Sequence, residues 1–199
     1  MGQRPRPGRH TRRRSVLTAA VRTAFLLVLY WALVPLAQGD EQSDLLSQLK
    51  VAYLYNFTRF VEWPALPQGQ PFVIGVIGDP EMEGRLRTLE REGKQAAGRP
   101  IQVRGYASAD AIGACQILFI GANAAGQIAA ILQRTAGRPT LLVADTPGSA
   151  RRGVAIELFR KPDVFRKKEY LRIRINPAGL EGRGLVVSAQ LYDVAEVIR

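Results

Sequence analysis

Four short apolar runs, separated by segments of helical period, constrain this chain more than any other feature. Residues 72–77 (FVIGVI) are apolar apart from one glycine. Residues 101–106 alternate through Ile101, Val103 and Gly105, and residues 117–120 (ILFI) and 140–144 (TLLVA) are apolar almost throughout. Runs of that length and content read as strands, most of them buried on both faces. Between them, residues 81–91 place Met82, Leu86 and Leu89 on one helical face, and residues 109–114 suit a short helical turn. Asn123 stands where it would cap a helix over residues 124–135, one that turns Ile128, Ile131 and Leu132 inward and stops at Gly137. Strand and helix periods in alternation point to βα units on a largely parallel sheet.

The flanks differ. Residues 44–61 have helical spacing, with Leu45, Leu49, Ala52, Tyr53, Phe57, Phe60 and Val61 on one broad apolar face. Glu41 and Asp44 suit the positive end of the helix dipole, and Trp63-Pro64 stops the helix because the residue before proline avoids the helical region. Residues 154–159 and 170–175 read as two strands, an antiparallel pair joined by a basic linker. Leu171, Ile173 and Ile175 alternate with Arg172 and Arg174, as a half-exposed strand requires. Residues 185–198 read as a closing helix with Leu185, Ser188, Leu191, Tyr192, Ala195 and Ile198 inward. The expected fold class is α/β: a single-domain layered sandwich with a mostly parallel central sheet, helices on both faces and an antiparallel late hairpin.

Charge is unevenly spread. The chain of 199 residues has 28 Lys and Arg against 17 Asp and Glu, but seven of the arginines and no acid fall within residues 1–39. The remainder carries 21 basic and 17 acidic side chains, so the high net charge belongs mainly to the N-terminus. Arg9, Arg12, Arg13 and Arg14 precede an apolar stretch of 14 residues, 24–37, and Ala37-Gln38-Gly39 offers small residues at the cleavage positions. Residues 1–39 therefore read as an export signal cleaved between Gly39 and Asp40, leaving one domain over residues 40–199. The stretch is shorter than the 20 or so apolar residues of a spanning helix. Export from a Gram-negative cell places the mature chain in the periplasm and argues against a nucleic-acid partner.

Beyond residue 39 there is no histidine and a single cysteine, Cys115. A Ser-His-Asp or Cys-His mechanism lacks its imidazole, a zinc site lacks its ligands, and an internal disulfide lacks its second thiol. No catalytic residue, metal or cofactor is expected. The glycines at 75 and 78 do not match a dinucleotide fingerprint and read as an ordinary strand-to-helix turn. Cys115 reads as a small buried hydrophobe. The acidic residues Glu81, Glu83, Glu90 and Glu92 interleave with Arg85, Arg87 and Arg91 and read as surface ion pairs along a helix. The remaining candidate is the linker over residues 160–168 (RKPDVFRKK). Phe159 and Phe165 would anchor a partner there, while Arg160, Arg166, Lys167 and Lys168 would steer an acidic surface.

Several segments together resemble the YfiR-like family of periplasmic signalling proteins. They are residues 50–64 (KVAYLYNFTRFVEWP), 115–120 (CQILFI), 140–148 (TLLVADTPG) with Gly153 and the strand to Phe159, 173–176 (IRIN) and 185–197 (LVVSAQLYDVAEV). The resemblance implies a regulatory binding protein that represses a membrane-bound diguanylate cyclase of the YfiN type through its periplasmic domain, and so lowers cyclic-di-GMP signalling. It also implies sequestration by an outer-membrane lipoprotein of the YfiB type, and homodimers. Family members carry disulfide-forming cysteine pairs, which this chain lacks, and the linker after Phe159 is longer and more basic than theirs. The alternative is a periplasmic receptor for a small ligand, with no cyclase partner, bound at the carboxyl ends of the parallel strands.

Overall fold

The computed structural model describes residues 2, 37–64, 67–163 and 168–198. The chain divides into two compact units, Met1–Asp44 and Leu45–Arg199. Most of the expected export signal lies outside the described residues. Its last residues, Ala37 to Gly39, are helical, at the start of α1 (Ala37–Phe60). Among the described residues no helix is long and apolar enough to cross a membrane.

In the second unit, the apolar runs form the middle of an eight-stranded sheet. Its strands are β2 (Phe72–Ile77), β3 (Gln95–Ala96), β4 (Arg99–Tyr106), β5 (Ile117–Ile120), β6 (Leu141–Ala144), β7 (Ile156–Asp163), β8 (Lys168–Ile175) and β10 (Glu196–Val197). The spatial order is β10-β8-β7-β6-β5-β2-β4-β3. Strands β4, β2, β5, β6 and β7 run parallel, whereas β8 is antiparallel to β7. A separate pair joins β1 (Val61–Glu62) to β9 (Val186–Val187). The helices after α1 are α2 (Pro80–Arg91), α3 (Ile128–Arg134) and α4 (Ala189–Asp193).

Alternation along the strands sends side chains to two cores. Phe72, Ile74 and Val76 of β2, with Ile117, Phe119, Leu141 and Val143, meet Leu54 and Phe57 of α1 and Met82, Leu86 and Leu89 of α2. On the other face Val73, Ile77, Leu118, Ile120 and Leu142 pack with Ile112 and with Ile128 and Ile131 of α3. Each such side chain fully withdrawn from water contributes roughly 2 kcal/mol. Helices thus lie on both faces of a mostly parallel sheet. The hairpin β7–β8 joins only the first core, through Ile156, Leu158, Leu171, Ile173 and Ile175.

Five local expectations are corrected. The buried stripe of α1 is Leu46, Leu54 and Phe57, while Leu45 and Leu49 remain exposed. Tyr53, Phe57, Phe60 and Val61 pack inward as expected, and the C-terminal end is tied where Val61 pairs with Val187 and Trp63 donates from Nε1 to the Gln116 carbonyl at 3.0 Å. Residues 93–100, which carry no strand pattern, contain β3, which pairs with the start of β4. Asn123 does not cap a helix. It lies inside a 3-10 segment over Ala122–Gln127 that is capped at Gly121 and runs into α3. The expected linker after Phe159 is strand as far as Asp163 and again from Lys168, because pairing with the opposite strand satisfies its backbone. The closing helix is reduced to five residues between two short strands. Val186, Val187 and Val197 are β-branched, and strand partners were available on either side.

Candidate interaction surface

Two places can carry function: the carboxyl end of the parallel strands and the outer face of the late hairpin. The order β4-β2-β5-β6-β7 reverses direction at β2, so its switch point lies between β2 and β5. The turns after β2 and β5 meet closely there. Gly78, at φ +76°, packs so closely on the loop after β5 that a Cβ there would stand 2.5 Å from the backbone nitrogen of Ala124. A Cβ on Gly121 would lie 2.5 Å from Cβ of Asp79. The Asp79 carboxylate is itself engaged, accepting from the backbone N–H of Met82 at 2.9 Å to cap α2. At the same end of the sheet, the Lys50 ammonium of α1 pairs with Asp145 just beyond β6, each side chain only 12% exposed. These contacts pack the turns after β2 and β5 against each other at the switch point.

The hairpin is built differently. The backbone N–H of Asn176 bonds to the Ala155 carbonyl at 2.9 Å, which fixes the register. In that register Glu157 faces Arg174, Phe159 faces Arg172 and Arg160 faces Leu171. Opposed residues share a face. Phe159 therefore lies on the outer face with Arg172 and Arg174, and Arg160 lies on the same face as the core residue Leu171, beyond the core's edge. The two expected contact residues point opposite ways. Arg160 is within 3.4 Å of Glu169. Phe165, Arg166 and Lys167 lie outside the described residues, and Lys168 is described only as a backbone position that opens β8.

Phe159 is half-buried beneath a charged network. The Arg174 guanidinium lies over its ring at 4.0 Å from the centroid, a cation-π contact. The same guanidinium reaches Glu157 at 2.9 Å and Glu196 at 3.0 Å. Glu157 is buried, and its carboxylate also accepts from the backbone N–H groups of Gly148 at 3.1 Å and Ala150 at 3.0 Å. Hydrogen bonds from Arg174 and then Lys161 hold the Glu196 carboxyl below the usual carboxylate range. Sequence reading missed this network because Glu157, Arg174 and Glu196 are distant in sequence and become neighbours only through strand pairing. The alternation of arginines in β8 was the available signal.

Cys115 is buried, and desolvation pushes its thiol up to about 11. The expected helix-surface ion pairs are present between Arg85 and Glu81 at 2.8 Å and between Arg87 and Glu83 at 2.6 Å.

A family model described as YfiR/HmsC-like matches residues 47–196. No curated protein matches the sequence. Among solved structures, a conserved domain protein from Vibrio cholerae O1 biovar El Tor is similar at 13% identity with a TM-score of 0.49, over 77% of this chain and 60% of that one. The chain thus spans less than two thirds of that protein's length.

Proposed function

The chain belongs to the YfiR/HmsC-like family, and from that premise we propose that it represses a membrane-bound diguanylate cyclase by binding the cyclase's periplasmic domain. The family is periplasmic and regulatory rather than catalytic. The family match over residues 47–196 is the observation that carries the reading. The residues support it independently: beyond residue 39 there is no imidazole for acid–base work, and the one thiol is buried. The close packing of the turns at the switch point favours a protein partner over the metabolite-receptor alternative.

In this reading residues 1–39 direct export and are removed near Asp40. The late hairpin meets the cyclase, with Phe159 and Phe165 as apolar contacts and Arg160, Arg166, Lys167 and Lys168 raising the rate of encounter. A lipoprotein of the YfiB type would sequester the protein, and two copies would associate. Repression is conformational: a protein that prefers the inactive sensor shifts the equilibrium by its differential affinity for the two states.

The test is deletion of the gene with cyclic-di-GMP measured in the cell. A several-fold rise, reversed by the plasmid-borne gene, is expected. Unchanged levels in a strain with an intact cognate cyclase would remove the repressor reading.

A further inference from the structure

Strand β8 has an open edge. It spans Lys168–Ile175, but β10 covers only Arg174 and Ile175. The N–H of Asn176 points to β7, whereas the Ile175 carbonyl accepts from Ile198 at 3.0 Å on the opposite side. In an antiparallel strand both groups of alternate residues point the same way. The N–H groups of Glu169, Leu171 and Ile173 therefore face outward, beside the position β10 would occupy if it were longer. Among the described residues the N–H groups of Leu171 and Ile173 have no hydrogen-bond partner, although both residues are about 95% buried. Unpaired backbone donors in such a setting cost free energy until something accepts from them. They border a cavity of about 390 Å³ lined by Tyr53, Tyr170, Arg172 and Val194 together with these two residues. Tyr53 closes one side by donating its hydroxyl to the Leu171 carbonyl at 3.3 Å.

We propose that this edge takes an acidic, extended segment of a partner protein as an added strand beside β8. Its carbonyls would accept from Leu171 and Ile173, and one apolar side chain would enter the cavity between Tyr53 and Val194. Charge selects the occupant. Arg172 has no ion-pair partner among the described residues. A second copy of the chain would set Arg172 against Arg172, and the N-terminal segment of this chain brings seven more arginines and no acid. Like charges directly opposed across strands are destabilising. The inference rests on the reading of this chain as a protein-binding regulator, and it does not depend on which protein is bound.

Two synthetic peptides serve as probes, a blocked Glu-Val-Glu-Val-Glu and its Lys-Val-Lys-Val-Lys counterpart. They are added to the purified protein while backbone amides are followed by NMR hydrogen exchange. The acidic peptide should protect the Leu171 and Ile173 amides and bind about tenfold tighter than the basic one at low salt. Arg172→Glu should reverse that order. Val194→Trp, at a 59% exposed position that tolerates bulk, should fill the cavity and abolish protection while leaving the melting temperature unchanged. Protection elsewhere, equal binding of the two peptides, or protection that rises with protein concentration in the absence of peptide would each overturn the proposal. The readout is a pair of amides in purified protein, so its failure is distinct from a failure of cyclase repression, which is read in cells.

Discussion

At the scale of single residues, burial decides chemistry. Cys115 sits at the entrance to β5, 3% exposed, and its thiol is pushed up to about 11 by desolvation. The thiolate is the reactive form, so two obstacles, access and ionisation, act together. Iodoacetamide at pH 8 should leave the native protein unlabelled and modify it fully in denaturant. Stoichiometric labelling of native protein within minutes would contradict this placement. Arg183 shows the same logic with a cation. It is buried, and its guanidinium donates to the carbonyls of Gly179 and Thr135 at 2.9 Å and of Thr140 at 3.3 Å. Desolvation lowers its pKa. Thr135 ends α3, so the positive group also meets the negative end of that helix's dipole. Nothing in the local sequence Glu-Gly-Arg-Gly marks Arg183 as internal. Two of its three partners, Thr135 and Thr140, lie more than 40 positions earlier.

At the scale of elements, the hairpin and the closing strand hold each other. Glu196 of β10 is tied to Arg174 of β8 and Lys161 of β7. Its pKa is lowered in the folded state, so its contribution to stability is present above the unfolded carboxylate value of about 4.3 and is lost as pH falls through the folded value. Glu196→Gln should therefore destabilise the protein by about 0.5 kcal/mol at neutral pH, the modest size expected of a half-exposed pair. The difference from the parent should shrink progressively on acidification below the unfolded carboxylate value. Paired thermal melts across that range measure it, and a difference that grows on acidification would show the sign to be wrong. The strands of the hairpin were legible in outline, because Leu171, Ile173 and Ile175 alternate with charged residues. Their true length was not. Arg160, Lys161 and Pro162 read as linker on composition, yet their backbones pair with Leu171, Tyr170 and Glu169. Propensity is a weak guide where a neighbouring strand supplies the partners.

At the scale of the whole molecule, one ion pair ties the long helix to the sheet. Lys50 of α1 meets Asp145 beyond β6, and both are largely withdrawn from water. Replacing Lys50 by Met leaves a buried carboxylate without its counter-ion and should cost about 3 kcal/mol. Replacing both partners, Lys50→Met with Asp145→Leu, should cost less than the single change, because no charge is then stranded. Denaturant melts of the single and double variants decide this. A Lys50→Met variant as stable as the parent would show that helix packing alone holds α1 in place.

The chain's own pattern determined the βα core, its two-faced burial, the end of α1 before Trp63-Pro64 and the absence of histidine beyond residue 39. Each of these follows from periodicity or composition, which a sequence displays directly. Tertiary structure alone decided which stripe of α1 turns inward, how far β7 and β8 run, and that residues 185–198 break into strand, short helix and strand. It also decided that the turns after β2 and β5 pack closely together while the edge of β8 is open. Those outcomes depend on which segments arrive beside one another, since a backbone group takes whatever partner the assembled sheet presents, and no local run of residues encodes that meeting.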